Sequence, residues 1–294
     1  MLTIFTPTYN RAYKLPKLYQ SLVQQTNQEF EWLIVDDGST DDTQTLVEGW
    51  QSEHKLSIRY VYQINGGKMR AHNKGVSLCQ NELFLCVDSD DYLYDEHVVE
   101  AIYEKWNSIP DVTKDTLSGI LAPRHVTNFN LTDAQKTLPD IDYSTVSDLY
   151  TVHNFKSDTA LVFRTSVISA YPFPEIEGEK FITESYIYTQ IDAHYQFALL
   201  NKELIFCEYI ADGYTSNWNK LFLKNPKGWK LKYNQDIALT GKTFFLLAWL
   251  NAASFVNHDS ILQILKESPC KWKSFLMLPV GYVLYKKKTK GVKI

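Results

Sequence analysis

Residues 83–91, L-F-L-C-V-D-S-D-D, join an apolar run to the carboxylates of Asp88, Asp90 and Asp91. The apolar part predicts a buried strand, Leu83–Asp88, that ends in acid. Carboxylates this close together repel one another, and a hard divalent cation such as Mg²⁺ or Mn²⁺ relieves that repulsion. An acidic turn or a helix cap would use the same residues. The position directly after a buried strand favours a metal and phosphate site.

The segments on both sides of this run alternate between short apolar stretches and helical patterns. Besides Leu83–Asp88, strands are predicted at Leu2–Thr6, Phe30–Asp36, Ser57–Gln63 and Gly119–Pro123. The predicted helices are Tyr13–Gln25, Asp41–Glu53, Lys68–Cys79 and His97–Asn107. This alternation predicts an α/β fold, with a mostly parallel sheet and helices on both faces. Ligands of such sheets bind beyond the carboxyl ends of the strands, where this chain gathers its acidic and glycine-rich segments.

The second half of the chain is less regular. Residues 126–160 are polar and predict a long loop with short elements. Strands are predicted at Ala160–Arg164 and Glu203–Tyr209, with a helix at Thr183–Leu200 between them. From Asn219 onward the pattern is helical, and it includes the apolar segment Thr243–Val256 and a helix at Ile261–Leu265. Thr243–Val256 is expected to be core or part of a homo-oligomer interface.

Charge is divided unevenly along the 294 residues. The formal net charge is −4, which argues against nucleic acid as a partner. From Lys271 to the end there are seven Lys and no Asp or Glu, which leaves 23 basic against 34 acidic residues in the rest. The four cysteines form no C-x-x-C pair, as expected for reduced thiols in the cytoplasm. We find no signal peptide pattern and no stretch of apolar residues long enough to span a membrane.

The lysine-rich end surrounds an apolar and aromatic stretch, residues 272–285, which Pro279 and Gly281 interrupt. Two interpretations stay open. The stretch contacts a membrane surface at the inner face of the cell membrane, because Trp and Tyr with basic flanks suit that interface. Alternatively, it is a helix packed on the body of the protein with solvated lysines.

Four segments, in order and with fitting spacing, resemble family-2 glycosyltransferases with the GT-A fold, of the bacterial polysaccharide and glycan-assembly type. They cover roughly the first 95 residues, which is about a third of the chain. The segments are Thr6-Pro7-Thr8-Tyr9-Asn10-Arg11, Val35-Asp36-Asp37-Gly38-Ser39-Thr40-Asp41-Asp42-Thr43, Asn65-Gly66-Gly67-Lys68 with Ala71-His72-Asn73-Lys74-Gly75, and Asp88-Ser89-Asp90-Asp91.

The resemblance implies a binding role for each of these segments. In such enzymes the first loop cradles the base and ribose of a UDP-sugar, the acidic pair reads uracil, and the glycines admit the donor. Between the two acids of the pair, Asp37 is the favoured uracil acceptor and Asp36 the residue that holds the loop. Carried over, the donor-site residues are Thr6, Pro7, Tyr9, Arg11 near the phosphates, Asp36, Asp37, Gly66, Gly67, Lys68 on phosphate, Asn73 tying its helix to the acidic loop, Asp88 nearer the ribose, Ser89 and Asp90. Mn²⁺ or Mg²⁺ would be held by Asp90 and Asp91, with Asp88 as the third candidate.

An inverting family member also needs a general base that deprotonates the acceptor hydroxyl. The family takes this base from an acid that opens a helix in the second half of the chain. Glu184, at the start of the predicted helix, is the first candidate, with Glu179 and Glu177 in reserve. The family pattern there is Glu-Asp, whereas this chain has Glu184-Ser185.

Together these features predict a GT-A catalytic domain at 1–215, divided into a nucleotide-sugar half at 1–125 and an acceptor half at 126–215, and a helical extension at 216–294. The expected reaction is inverting transfer of a hexose from a UDP-sugar to a hydroxyl of a growing glycan, lipid-linked or on a surface protein. Two alternatives are a nucleotidyltransferase, for which the first loop lacks glycine, and a non-catalytic glycan-binding module. A dinucleotide-binding oxidoreductase would need a G-x-G-x-x-G after the first strand, and the sequence has none.

Overall fold

The computed structural model describes residues 1–127, 131–207 and 217–290 of the chain. The strands are β1 (Leu2–Thr8), β2 (Phe30–Asp36), β3 (Ser57–Tyr62), β4 (Leu83–Cys86), β5 (Tyr92–Leu93), β6 (Leu117–Val126), β7 (Tyr143–Ser144), β8 (Thr159–Arg164), β9 (Gln196–Leu199) and β10 (Ile205–Cys207). The helices are α1 (Leu15–Val23), α2 (Thr43–Glu53), α3 (Lys68–Leu78), α4 (Val98–Ser108), α5 (Asp111–Lys114), α6 (Asp133–Lys136), α7 (Val146–Thr151), α8 (Thr165–Ile168), α9 (Ser185–Asp192), α10 (Trp218–Lys224), α11 (Pro226–Thr240), α12 (Phe244–Val256), α13 (Ile261–Glu267) and α14 (Lys271–Thr289).

These elements form two compact units. Unit 1 consists of the described residues of Met1–Pro172 and His194–Tyr209, and unit 2 of those of Phe173–Ala193 and Ile210–Ile294. The structure thus groups Phe173–Ala193 with the C-terminal helices, whereas the sequence assigned this segment to the catalytic domain. The predicted boundary at residue 215 lies outside the described residues.

Unit 1 is built on one mixed sheet with the strand order β3-β2-β1-β4-β8-β6-β10-β5. The first four strands of this order are parallel to one another, and β8 then runs antiparallel to both β4 and β6. Thr8 lies opposite Asp36 and Phe5 opposite Cys86, so that β1, β2 and β4 end at the same edge of the sheet. The predicted mostly parallel α/β architecture with a helical C-terminal region is therefore confirmed.

The strands and helices of this half follow the apolar periodicity of the sequence closely. All seven residues of β1 are buried, as expected for a strand covered on both faces. Trp32 on β2, Tyr19 on α1 and Trp50 on α2 stack on one another, with a distance of 4.4 Å between the Tyr19 and Trp50 ring centroids. These rings fix two helices to one face of the sheet, and burial of each ring stabilises unit 1 by about 2 kcal/mol.

One predicted element is wrong. The helix expected over Thr183–Leu200 ends at Asp192, and its last part is instead strand β9. Ile187 and Ile191 keep helical spacing and are buried, but Phe197–Leu199 is a continuous buried run. That run pairs with β6 on one side and β7 on the other. Pairing within the sheet overrides the local helical pattern, because it satisfies the backbone of a fully buried segment.

Unit 2 is helical. Helix α14 continues from Lys271 to Thr289 through Pro279, so the apolar stretch is not interrupted as the sequence suggested. Gly281 is buried, and a Cβ added there would lie 2.6 Å from the Cβ of Asn251 on α12. The glycine therefore allows α14 to approach α12 closely rather than breaking it. Among the described residues, every helix is too short or too polar to cross a bilayer.

Candidate functional site

The C-terminal half of β1 contains two threonines whose side chains differ in hydrogen bonding. The side chain of Thr6 is fully buried, and its Oγ1 accepts a hydrogen bond from Nε1 of Trp32 at 3.0 Å. Thr8 is also buried, but its Oγ1 has no hydrogen-bond partner among the described residues. A buried hydroxyl without a partner is costly in an isolated fold. Thr6, predicted to contact the donor, is thus engaged in the core, whereas Thr8 has an unused hydroxyl at the strand end.

The loop after β1 is tied to the loop after β2. The backbone N–H of Asn10 donates to Oγ of Ser39 at 2.8 Å, and Oδ1 of Asn10 accepts from the N–H of Thr40 at 2.8 Å. Asn10 has a φ of 51°, a left-handed conformation that asparagine tolerates well. Three further residues were predicted to contact the donor. Pro7, within β1, is buried; in the loop after it, Tyr9 is 48% exposed and Arg11 donates to the Tyr13 hydroxyl at 2.5 Å.

Both carboxylates of the pair at the end of β2, Asp36 and Asp37, hold loops. Asp36 accepts from the N–H of Ser39 at 2.7 Å and from the hydroxyl of Tyr60 at 2.5 Å. Asp37 accepts four hydrogen bonds, whose donors and lengths are Gln63 Nε2 at 2.7 Å, Gly66 N at 2.8 Å, Gly67 N at 2.8 Å and Asn65 Nδ2 at 3.2 Å. A carboxylate has about four acceptor positions. In the structure both carboxylates hold loops, and uracil recognition by Asp37 stays a prediction.

The Gly66-Gly67 turn brings α3 to the acidic run. Gly67 has a φ of 96°, which a side chain would strain, and Lys68 opens the helix directly behind it. Nζ of Lys68 lies 2.8 and 2.9 Å from the two carboxylate oxygens of Asp88. Asn73 lies half-buried further along α3. The predicted phosphate ligand, Lys68, is therefore paired with a predicted donor-site acid.

The carboxylates of the acidic run differ in their electrostatic surroundings. Burial raises the pKa of Asp88, but Lys68 and Arg124 outweigh this effect and hold its pKa below the usual value. Burial and then the charge of Asp88 raise the pKa of Asp90. Burial raises the pKa of Asp91 to about 7. Arg124 opposes this rise, whereas the charges of Asp88 and Asp90 add to it. Ser89, within the same run, is buried. Asp88 and Asp90 thus repel each other, as the sequence suggested.

Arg124 on β6 is a part of the site that the sequence interpretation missed. Its Nη1 lies 3.0 Å from Oδ2 of Asp91, and its Nε donates to the carbonyl of Thr159 on β8 at 3.0 Å. The thiol of Cys207 on β10 donates to the same Asp91 oxygen at 3.3 Å. Asp91, predicted to face the metal, is therefore buried and paired with arginine. Its partners come from distant strands, and no local pattern in the sequence indicates them.

We expect Arg124→Met to destabilise unit 1 by about 2–4 kcal/mol, because the buried carboxylate of Asp91 loses its counter-ion. Chemical denaturation of the variant measures this loss. The double variant Arg124→Met/Asp91→Asn should recover most of the lost stability, since residue 91 then carries no charge. Equal stability of the single and the double variant would show that the unpaired carboxylate of Asp91 is not what destabilises Arg124→Met.

The three candidate bases lie in unit 2 and differ in exposure. Glu179 is buried, and its two oxygens accept from the N–H groups of Lys227 and Gly228 at 2.8 Å each. These N–H groups belong to the first turn of α11, so Glu179 serves as a cap for that helix. Glu177 is exposed, and Glu184 precedes the first residue of α9 with a half-buried side chain. Glu179 thus caps α11, and Glu184 lies at a helix start, which is where the family's base is expected.

The chain is similar to known proteins in sequence and in fold. A sequence profile described as "Glycosyl transferase family 2" matches residues 3–168, more than half of the chain. Glycosyltransferase GlyG of Streptococcus pneumoniae serotype 4 is 31% identical over 106 residues, 36% of this chain and 35% of GlyG. Poly(ribitol-phosphate) beta-N-acetylglucosaminyltransferase TarS of Staphylococcus aureus is 34% identical over 101 residues, 34% of this chain and 18% of TarS. The match spans less than half of either relative.

Two solved structures have the same fold. The crystal structure of S. aureus TarS 1-349 in complex with UDP-GlcNAc has a TM-score of 0.62 at 17% identity, covering 97% of this chain and 91% of that chain. Mannosyltransferase PcManGT from Pyrobaculum calidifontis, in complex with GDP-Man and Mn²⁺, has a TM-score of 0.57 at 16% identity, covering 100% of this chain and 76% of that chain. The family match and the sheet topology lead to one conclusion: the chain belongs to glycosyl transferase family 2 and has a GT-A fold.

Proposed function

We propose that this chain transfers a hexose from a UDP-sugar, with inversion, to a hydroxyl of a growing glycan of the cell envelope, lipid-linked or carried by a surface protein. The observation that carries the proposal is the convergence of Thr8, Asp37, Lys68 and the acidic run at one edge of the unit 1 sheet. Strands β1, β2 and β4 end together there, which is where α/β sheets bind nucleotides. Family membership supports the reaction class.

Within the proposed donor site of unit 1, different residues bind different parts of the UDP-sugar. Asp37 holds the Gly66-Gly67 turn through two backbone N–H groups, and this leaves the start of α3 close to the donor phosphates. Lys68 then exchanges Asp88 for a phosphate oxygen, which replaces one anionic partner by another at little cost. Tyr9, exposed at the edge, offers a ring face to the uracil base.

A divalent cation fits the acidic run. Asp88 and Asp90 repel each other, and the pKa of Asp90 is raised for that reason after burial. Within the described residues, no group of three or more His, Cys, Asp and Glu side chains is arranged to hold a metal. Asp90, with Asp88 beside it, would therefore share the ion with diphosphate oxygens and water, an arrangement typical of Mg²⁺ and Mn²⁺. When bound, the cation neutralises charge on the departing nucleoside diphosphate.

For the acceptor, we propose that Glu184 accepts the proton of the attacking hydroxyl. Both oxygens of Glu179 already accept hydrogen bonds from backbone N–H groups of α11, so this carboxylate caps that helix. Glu177 is the remaining candidate because its side chain is exposed.

We also propose that the enzyme works at the inner face of the cell membrane, where its lysine-rich end meets the surface on which lipid-linked acceptors lie.

The unused hydroxyl of Thr8 gives a test of the donor position. We expect Thr8→Val to weaken binding of the UDP-sugar about 2–10-fold, through loss of one hydrogen bond, while the folded state becomes equally or more stable. Thr6→Val is the matched control, since it leaves Nε1 of Trp32 unpaired in the core. That variant should lose about 1–3 kcal/mol of stability and keep its donor affinity. Unchanged donor affinity in Thr8→Val would remove Thr8 from the site.

A donor screen tests the proposed function as a whole. The purified chain is incubated with Mn²⁺ and a panel of UDP-, GDP- and dTDP-sugars, and release of the nucleoside diphosphate is measured without acceptor and with a mixed glycan acceptor. We expect release from at least one UDP-hexose, stimulated by acceptor and absent with EDTA. Release from GDP- or dTDP-sugars alone would contradict the UDP assignment, and release of pyrophosphate from a sugar phosphate and UTP would indicate a nucleotidyltransferase.

A further inference from the structure

Helix α14 packs on α12 through small and polar side chains. Ser274 and Gly281 are buried, and Oγ of Ser274 donates to Oδ1 of Asn251 at 2.7 Å. Nδ2 of Asn251 in turn donates to the carbonyl of Ser274 at 2.9 Å. Leu278 is the buried large apolar residue of the helix. The inward side of α14 is thus narrow and partly polar, unlike the inward side of an ordinary surface helix.

The opposite side of α14 is apolar and exposed. Trp272 is 63% exposed, Phe275 59%, Leu276 53% and Val283 65%. Their spacing of three, four and seven residues places them on a single face of the helix. Helix α14 thus exposes more large apolar side chains than an ordinary amphipathic surface helix does. Such a contiguous exposed patch is typical of a surface that binds a partner.

Neighbouring residues extend the apolar patch and add positive charge at its edges. Phe244 at the start of α12 is 51% exposed, and Nζ of Lys273 lies 5.5 Å from the centre of its ring. At the other end, Nζ of Lys286 lies 5.3 Å from the ring centre of Tyr282. Lys287 is exposed beside it. No Asp or Glu occurs from Lys271 onward, so every charged residue of α14 itself is basic.

We infer that the outward face of α14 lies in the interface of an anionic lipid bilayer, with its apolar side chains below the headgroups and its lysines at the lipid phosphates. A helix of 19 residues with this pattern lies in the plane of the surface rather than across it. A second copy of the chain is the other conceivable occupant. A symmetric contact would bring equal lysine rims together, and the charge therefore favours lipid.

The inference deepens the proposed membrane contact and is independent of the donor chemistry. Vesicle co-sedimentation of the full chain tests it, using phosphatidylcholine vesicles with and without 30% phosphatidylglycerol, a composition chosen for the assay. We expect binding to the anionic vesicles alone, weakening as salt rises. Leu276→Ser/Val283→Ser should reduce binding at least tenfold, and Lys286→Gln/Lys287→Gln about tenfold at low salt. The matched control is Val112→Ser, a change at a 79% exposed apolar residue of unit 1.

Three outcomes would overturn the inference. Wild-type chain that stays in the supernatant with anionic vesicles has no such surface. Equal binding of wild type and the Leu276→Ser/Val283→Ser variant places the contact elsewhere. A dimer, seen by light scattering, that this variant dissociates would assign the face to a second copy. UDP release in solution is expected to be the same in all these variants, which separates failure of the membrane face from failure of the proposed function.

Discussion

Asp90→Asn is expected to release UDP from the donor about 10³-fold more slowly than wild type, because it removes a charge that would hold the divalent cation against the diphosphate. Asparagine keeps the size of the side chain, so the loop after β4 should keep its shape. Although the variant should be slower, it is not expected to be less stable. Burial and Asp88 raise the pKa of Asp90 in the folded protein, which means that its charged form is disfavoured there. Removing the charge should therefore leave the chain equally or more stable at neutral pH.

The matched control for this variant is Glu96→Gln, which removes an exposed carboxylate just beyond the acidic run. It should release UDP at the wild-type rate. Initial rates at saturating Mn²⁺, together with thermal unfolding of each variant, make the comparison. Turnover of Asp90→Asn within threefold of wild type would show that the acidic run does not serve the reaction, and would favour the interpretation as a structural turn.

Glu184→Gln is expected to lower transfer to the acceptor by about 10²–10⁴-fold, the usual contribution of a general base. Binding of UDP should be unchanged, because the donor residues lie in unit 1. The two activities are therefore measured separately, as sugar transfer to acceptor and as UDP affinity by calorimetry. A fall in transfer alone distinguishes a lost base from a misfolded protein.

The reserve candidates supply the controls. Glu177→Gln should transfer at the wild-type rate, since Glu184 is the proposed base. Glu179→Gln should lower the free energy of unfolding by about 1 kcal/mol, because it weakens the cap of α11. If Glu184→Gln transfers normally and the change at Glu177 abolishes transfer, the base is Glu177.

Much of unit 1 was predictable because local pattern and tertiary structure agree there. Strand β2 has the bounds that its apolar run predicts, and α3 begins at Lys68 directly after the glycines. The helix predicted over Thr183–Leu200 failed for the opposite reason. Its second part pairs as β9 with strands that are distant in the sequence, and no local periodicity reports such pairing.

The candidate site, too, was predictable from the sequence only in part. The acids, glycines and Lys68 follow strand ends or open a helix, so sequence reasoning could gather them at one edge. Their individual partners could not be predicted. Arg124 reaches Asp91 from β6, and the backbone of the Gly66-Gly67 turn takes up the carboxylate of Asp37. Thr8 was overlooked because only the structure distinguishes its unused hydroxyl from the bonded one of Thr6.

If the acidic run brings a divalent cation to the donor diphosphate, Mn²⁺ should strengthen the binding of UDP, and calorimetric titration of UDP with and without Mn²⁺ measures this. We expect Mn²⁺ to tighten UDP binding at least tenfold in wild type and to have no effect on Asp90→Asn, because the cation joins the carboxylate to the phosphates. Equal UDP affinity with and without Mn²⁺, or an Mn²⁺ effect that persists in Asp90→Asn, would contradict it.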